Sequence, residues 1–192
     1  IRCMSKRTFG SDRPQAAKSA AAAVPARKGV SMNVLFCTSE GLPYIMSGGL
    51  GDVAGALPKA LCAAGVDCRV IMPLYSGIRP ELRAEMEYLC HFQVPVAWRS
   101  QYCGLFRMKS GRVTAYFLDN EYYFKRDGLY GYGDDGERYA FFSRAVLEAL
   151  RHLDFVPDIL HTNDWQTALV SLYLNLYYRD DPKFANIKTL FT

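Results

Sequence analysis

Several features that mark common classes of protein are scarce in this 192-residue chain. No run of residues is long and apolar enough to span a membrane, and no secretory hydrophobic segment is present. There are only three histidines, and the six cysteines include no Cys-x-x-Cys pair or other metal-ligand spacing. The sequence therefore predicts no membrane partner, no bound metal, and reduced, cytosolic thiols.

Acidic residues are scarce in the first 31 positions, which hold seven Lys and Arg residues against Asp12 alone. This stretch has a net charge of +6, and since the whole chain has +4, residues 32–192 carry −2. A slightly acidic folded part gives no electrostatic case for nucleic acid as a partner. We expect residues 1–31 to be a basic, disordered leader, either upstream sequence read in frame or an organelle transit peptide.

A glycine loop between a strand and a helix is the most informative motif that is present. Val34 to Thr38 is a continuous apolar run, typical of a parallel strand buried on both faces. The loop then reads Ser47-Gly48-Gly49-Leu50-Gly51-Asp52 and opens a helix. Backbone N–H groups and the positive end of a helix dipole suit an anion there, and glycine permits close approach and positive φ. A plain tight turn is the alternative.

Neither standard phosphate fingerprint is complete in this loop. The P-loop pattern Gly-x-x-x-x-Gly-Lys-Ser/Thr is absent. A dinucleotide fingerprint Gly-x-Gly-x-x-Gly would begin at Gly49, but its third position is Ala54. The acidic residue expected at the end of the second strand is also missing. An NAD-dependent dehydrogenase is therefore disfavoured.

The remaining pattern predicts an α/β fold, a Rossmann-like, mostly parallel sheet with helices on both faces. Val53, Leu57 and Leu61 lie four apart on the first helix and predict its buried stripe. From Leu89 to Leu118 the pattern changes to short alternating strands, with an antiparallel hairpin around Ser110-Gly111. Further helices are predicted over 136–150 and 165–178, and further strands over 68–72, 158–161 and 188–192.

Two loops are expected at one edge of this sheet, because ligands of open α/β sheets bind beyond the carboxyl ends of the strands. Asp52, after the first strand, and Asp164, after the strand at 158–161, are candidates for one cleft. Asp164 also fits a plain helix N-cap. We expect Trp165 to lie in the core and His161 to be a satisfied core histidine.

The segment from residue 119 to residue 135 is predicted to be a long loop, dense in tyrosine, glycine and aspartate. Aromatic faces beside carboxylates and amides form the usual surface for sugars. The alternative is an ordered loop packed by its own tyrosines. The aromatic residues concerned are Tyr122, Tyr123, Phe124, Tyr130 and Tyr132.

Five blocks, taken in order, resemble those of bacterial glycogen synthases and plant starch synthases. They are Ser47-Gly48-Gly49-Leu50-Gly51-Asp52-Val53, Asp119-Asn120, the Tyr-Phe-x-Arg of 123–126, Gly128-Leu129-Tyr130-Gly131, and His161-Thr162-Asn163-Asp164-Trp165. The resemblance extends from Met32 to Thr192. It implies a retaining glucosyltransferase that moves glucose from ADP-glucose to the nonreducing end of an α-1,4-glucan. Its fold would be the N-terminal half of a two-domain GT-B glycosyltransferase, the catalytic domain of residues 32–192.

The resemblance also implies roles for particular residues and partners. Ser47, Gly48, Gly49, Asp52 and Asp164 would bind the donor, with the two glycines close to its diphosphate and Asp164 on sugar hydroxyls. Tyr130 would lie on the acceptor side. No metal or other cofactor is implied. The partners would be ADP-glucose, glycogen, starch or maltooligosaccharides, and the missing C-terminal domain, in a bacterial cytoplasm or alternatively a plastid.

The sequence departs from the family pattern in two places. Met46 stands where the family has a lysine before the glycines, and a thioether cannot make a charge-assisted hydrogen bond to phosphate. The sequence also ends at Thr192, before the family's His-Asn pair and second domain. We expect weakened donor binding and no transfer by this polypeptide alone. The alternative is a non-catalytic glucan-binding half-domain that has lost transferase activity.

Overall fold

A computed structural model describes residues 32–192; the predicted leader of residues 1–31 lies outside the described residues. Seven strands form one sheet: β1 (Asn33–Cys37), β2 (Asp67–Pro73), β3 (Glu87–Val96), β4 (Arg99–Ser110), β5 (Val113–Asp119), β6 (Ile159–Thr162) and β7 (Lys188–Phe191). Their order across the sheet is β3-β4-β5-β2-β1-β6-β7. β1 pairs in parallel with β2 and β6, while β3, β4 and β5 run antiparallel. The predicted mostly parallel sheet with an antiparallel excursion is confirmed.

Helices connect these strands. They are α1 (Gly49–Ala63), α2 (Pro80–Ala84), α3 (Glu121–Phe124), α4 (Asp135–Arg151) and, after a 3-10 turn over Trp165–Thr167, α5 (Ala168–Tyr173), which continues into a π-helical turn over Leu174–Tyr178. α1 leads from β1 to β2, whereas α4 leads from β5 to β6 in the opposite direction along the sheet. Since right-handed crossovers in opposite directions lie on opposite faces, helices cover both faces, as predicted.

The antiparallel part is larger than the sequence indicated. β3 has ten residues and β4 has twelve, so the expectation of short strands between Leu89 and Leu118 is wrong. β4 pairs along its length with β3 on one side and β5 on the other, and this pairing sustains both strands. The predicted hairpin is confirmed, with Ser110 opposite Val113. The predicted loop of residues 119–135 also contains α3, because the Asn120 side chain accepts from Tyr123 N at 3.1 Å.

α1 buries a face of small residues, and of the predicted aliphatic stripe Leu57 and Leu61 pack partly buried against the core. Val53 is 48% exposed, so its placement in that stripe is wrong. The buried positions Gly51, Ala54, Gly55 and Pro58 are spaced i, i+3, i+4 and i+7. A Cβ at Gly55 would come within 2.8 Å of the Leu42 Cβ. The small face therefore lets the loop that follows β1 pack directly against the helix.

Replacing Gly55 by alanine is expected to destabilise the protein, although alanine in a helix interior is normally about 0.5–1 kcal/mol better than glycine. Crowding against Leu42 should lower the free energy of unfolding by about 1–3 kcal/mol. Gly49→Ala is the matched control, because a Cβ there meets nothing within 4 Å. Urea unfolding measures both variants, and equal stability of the two would contradict the close packing.

Candidate functional site

The crevice of interest lies where the chain changes direction along the sheet. β1 pairs with β2 on one side and with β6 on the other, so the loops after β1 and β6 diverge toward opposite faces. Such a switch point at the carboxyl ends of parallel strands is where ligands bind in open α/β sheets. Asn163 N donates to the Cys37 carbonyl oxygen at 3.1 Å and joins the two strand ends. The two predicted site loops therefore follow adjacent strands at this edge.

The N-terminus of α1 opens at this edge without a side-chain cap. Gly48 precedes the helix with φ −160°, which is extended backbone that any residue can adopt. Both Gly48 and Gly49 are exposed, and a Cβ on either would have no neighbour within 4 Å. The fold itself therefore leaves room for a side chain at both positions. The uncapped N–H groups and the dipole of a 15-residue helix suit an anion.

Glu40 shapes the loop that carries the glycines. Its side chain is buried, and its carboxylate accepts a hydrogen bond from Ser47 N. Ser47 itself is exposed, as are Met46 on one side of the glycines and Asp52 in the first turn of α1. Glu40 is not among the site residues predicted from the sequence. The available signal was a carboxylate two residues beyond a buried apolar strand, at the edge where ligands bind.

Tyr130 reaches the same edge from the loop between α3 and α4. Its hydroxyl and the Ser39 Oγ are 2.8 Å apart. Burial raises the pKa of Tyr130 to about 12, so its hydroxyl stays protonated at neutral pH and can donate a hydrogen bond. Its ring lies 6.2 Å from the Trp165 ring, centroid to centroid. Tyr130, predicted for the acceptor side, therefore lies between the loops that follow β1 and β6.

Most other aromatic residues of that loop serve packing. Tyr123 and Phe124 are fully buried, which agrees with the alternative of a tyrosine-packed loop. Arg138 organises them, since it is fully buried and donates to the carbonyl oxygens of Tyr123 at 2.7 Å and Leu129 at 3.1 Å. Arg138 is not among the residues predicted from the sequence, because a helical arginine ordinarily faces solvent.

Asp164 occupies the N-cap position that the sequence predicted. Its Oδ1 accepts from Trp165 N at 2.6 Å, and its side chain is exposed. Its backbone has φ 61° and ψ 173°, a conformation that costs an L-residue about 1–3 kcal/mol. Trp165 is 49% exposed, so the prediction of a core tryptophan is wrong. The cap turns the chain out of the sheet and places the indole edge-on to Tyr139 at 5.1 Å.

His161 is the satisfied core histidine that the sequence predicted. It is buried near the end of β6, and its Nε2 lies 3.1 Å from the Thr192 Oγ1. Burial lowers the pKa of His161, which favours the neutral ring at neutral pH.

Residues 32–192 contain no group of three or more His, Cys, Asp or Glu side chains that could hold a metal ion. Over the same residues, no helix has the length and hydropathy to cross a membrane. Five cysteines are free thiols in this part of the chain, namely Cys37, Cys62, Cys68, Cys90 and Cys103.

Comparison with known proteins gives a consistent family. Residues 33–192 match the starch synthase catalytic domain. The glycogen synthase of Caldicellulosiruptor bescii is 55% identical over 161 residues, which is 84% of this chain and 34% of that protein. The glycogen synthase of Clostridium perfringens is 54% identical over 159 residues, 83% of this chain and 33% of that protein.

A solved structure agrees with these relatives. The catalytic domain of starch synthase IV from Arabidopsis thaliana, bound to ADP and acarbose, matches with a TM-score of 0.76 and 29% identity. The match covers 84% of this chain and 34% of that one, so this chain spans about a third of the length of the relatives. The resemblance seen in the motifs is confirmed: the chain belongs to the starch synthase catalytic domain family, whose members are glycosyltransferases.

Proposed function

We propose that the whole protein transfers glucose from ADP-glucose to the nonreducing end of an α-1,4-glucan with retention of configuration. The observation that carries the proposal is the uncapped N-terminus of α1, with two open glycines, at the sheet edge where Tyr130 and Asp164 also lie. The related proteins support it, since they are named glycogen synthase and the solved neighbour is bound to ADP and acarbose.

The donor would bind at the start of α1. Backbone N–H groups of Gly48 and Gly49 would donate to the diphosphate, whose negative charge is favoured at the positive end of the helix dipole. As the bond between glucose C1 and the diphosphate breaks, charge grows on the departing ADP. Fixed N–H donors aimed at that charge stabilise the transition state more than the ground state. Ser47 and Asp52 are exposed on either side of the glycines and would also bind the donor.

The sugar side would lie between Tyr130 and Asp164. The Tyr130 hydroxyl is protonated at neutral pH and can donate to an acceptor hydroxyl, while the Asp164 carboxylate can accept from glucose hydroxyls. The exposed face of Trp165 adds a surface for the C–H patches of a sugar ring. Carboxylate, phenol and indole together make a polar and aromatic surface suited to a glucan end.

We propose no metal and no cofactor, because backbone amides and basic side chains would meet the charge of the leaving diphosphate. The match covers about a third of the length of the relatives, so we propose that a second domain closes over the crevice and completes the site. The bacterial relatives, at 54–55% identity, support glycogen as the product and the bacterial cytoplasm as the location, over starch and a plastid.

A specific observation favours one alternative, which is glucan binding without transfer. Met46 is exposed beside the glycines and brings no positive charge to the proposed phosphate position. The full-length protein, incubated with ADP-glucose and a maltooligosaccharide, tests the choice. Release of ADP with growth of the chain by α-1,4 bonds supports transfer. Retention of the oligosaccharide on the protein without ADP release supports the alternative.

Gly49→Ala is expected to raise the KM for ADP-glucose by about tenfold in the full-length protein, since a Cβ would intrude where the diphosphate approaches. Unfolding should be unaffected, because the Cβ meets no protein atom. Gly136→Ala is the control, as its Cβ also meets nothing within 4 Å and it lies in α4. A KM unchanged in both variants would show that the diphosphate does not bind close to Gly49.

Met46→Lys is expected to lower the KM for ADP-glucose by about tenfold or more, because a charge-assisted hydrogen bond contributes about 1.5–3 kcal/mol. Met46→Gln, similar in length but uncharged, should gain little. The gain should shrink as salt rises, because screening weakens an exposed ion pair. A lysine variant no better than the glutamine variant would show that Met46 does not limit donor binding.

A further inference from the structure

The backbone at Asp164 is held in a conformation that glycine favours and that L side chains rarely adopt, with φ 61° and ψ 173°. Conformations of this kind persist only where the surrounding structure over-determines them, and they cluster at ligand sites. Asp164 is exposed and carries a short side chain, so its own packing cannot impose the conformation. The bonds made by its neighbours must do so.

All four polar groups of the two peptide units that flank Asp164 are bonded. The Asp164 N–H donates to the Thr192 carbonyl oxygen at 2.8 Å. The Asn163 carbonyl accepts from the Thr167 hydroxyl at 2.8 Å, and the Asp164 carbonyl accepts from the Thr167 N–H at 3.1 Å and from its hydroxyl at 3.2 Å. The Trp165 N–H donates to the Asp164 carboxylate. Neither peptide can rotate without breaking at least one of these bonds.

The Asn163 side chain ties this arrangement to the sheet. It is buried, and its Nδ2 donates to the carbonyl oxygens of Cys37 and His161, each at 3.1 Å. Its Oδ1 accepts from the Thr192 hydroxyl at 2.8 Å. One amide therefore connects the ends of β1 and β6 with the residue that follows β7. We call Asn163, Thr167 and Thr192 the Asp164 clamp.

We propose that the residues of the Asp164 clamp are positioning residues: they hold Asp164 in its left-handed conformation and so present its carboxylate to glucose hydroxyls. The proposal rests on the function proposed above. Of the two carboxylate oxygens, Oδ1 accepts from Trp165 N, whereas Oδ2 has no hydrogen-bond partner within residues 32–192. Oδ2 is therefore the atom that meets the ligand. Relaxation of the backbone to negative φ would move this oxygen away from the crevice.

Two substitutions at Asp164 test the conformation independently of any activity. Asp164→Gly and Asp164→Ala both remove the carboxylate, and only glycine adopts φ 61° without strain. We expect the full-length glycine variant to melt about 2–4 °C above the alanine variant. Thr192→Val removes the hydroxyl bonded to Asn163. Added to both variants, it should reduce the difference between their melting temperatures. An alanine variant at least as stable as the glycine variant, or a gap that Thr192→Val leaves unchanged, would overturn the proposal.

A coupling experiment then separates positioning from a merely structural role. In the full-length protein, Thr192→Val should lower kcat/KM for transfer by about tenfold, and Thr192→Ser, which keeps the hydroxyl, should restore it. In the Asp164→Ala background, Thr192→Val should have almost no further effect, because the residue it positions is gone. The matched control is Thr189→Val, which should behave as the wild type, because the hydroxyl of this β7 threonine makes no hydrogen bond within residues 32–192.

The outcomes of these two experiments are distinct. A tenfold loss in both backgrounds would show that Thr192 acts on the structure generally, and no loss in either would show that the clamp does not act on transfer; each overturns the proposal. Absence of ADP release by the wild-type protein would instead contradict the proposed transferase function. In that event the melting comparison still decides whether Thr192 holds the Asp164 backbone.

Discussion

The arrangement of the crevice depends most on the hydrogen bonds of the buried Arg138 guanidinium. Arg138 lies in the first turn of α4 and donates to the carbonyl oxygens of Tyr123 and Leu129 and to the Asp135 carboxylate. It therefore holds the segment from Tyr123 to Leu129 against this helix. A buried charge is costly unless it is fully paired, and removing one partner of such a pair typically costs about 3–5 kcal/mol. The rings of Tyr132 and Tyr139 also contact the guanidinium and make cation–π interactions with it. Tyr130 reaches Ser39 because this loop is fixed.

A second constraint acts from the other face of the sheet. The small residues of α1 allow the segment after β1 to pack against the helix, with Leu42 close to Gly55. The first turn of α1 is thereby held against the loop that follows β1. The proposed donor and sugar surfaces come from different faces of one sheet, and they share one edge because the chain reverses its direction between β1 and β6.

Local signals made much of this predictable. The apolar run of β1, the glycine loop and the Ser110-Gly111 turn depend on neighbouring residues, and all three lie where the sequence placed them. Val53 and Trp165 were misplaced, because their burial depends on which face packs against a distant segment. Arg138 and Glu40 were missed because backbone groups are among their main partners, and a sequence does not show which carbonyl or N–H a side chain will meet.

The fully buried Cys37 thiol at the end of β1 has a practical consequence. Burial raises the pKa of Cys37 far above its ordinary value, so the reactive thiolate is almost absent while the edge of the sheet stays closed. The carbonyl of the same residue accepts both hydrogen bonds that Asn163 sends across the crevice. A thiol reagent can therefore reach Cys37 only when the structure around the end of β1 opens locally. The rate of its modification would measure how often that local opening occurs.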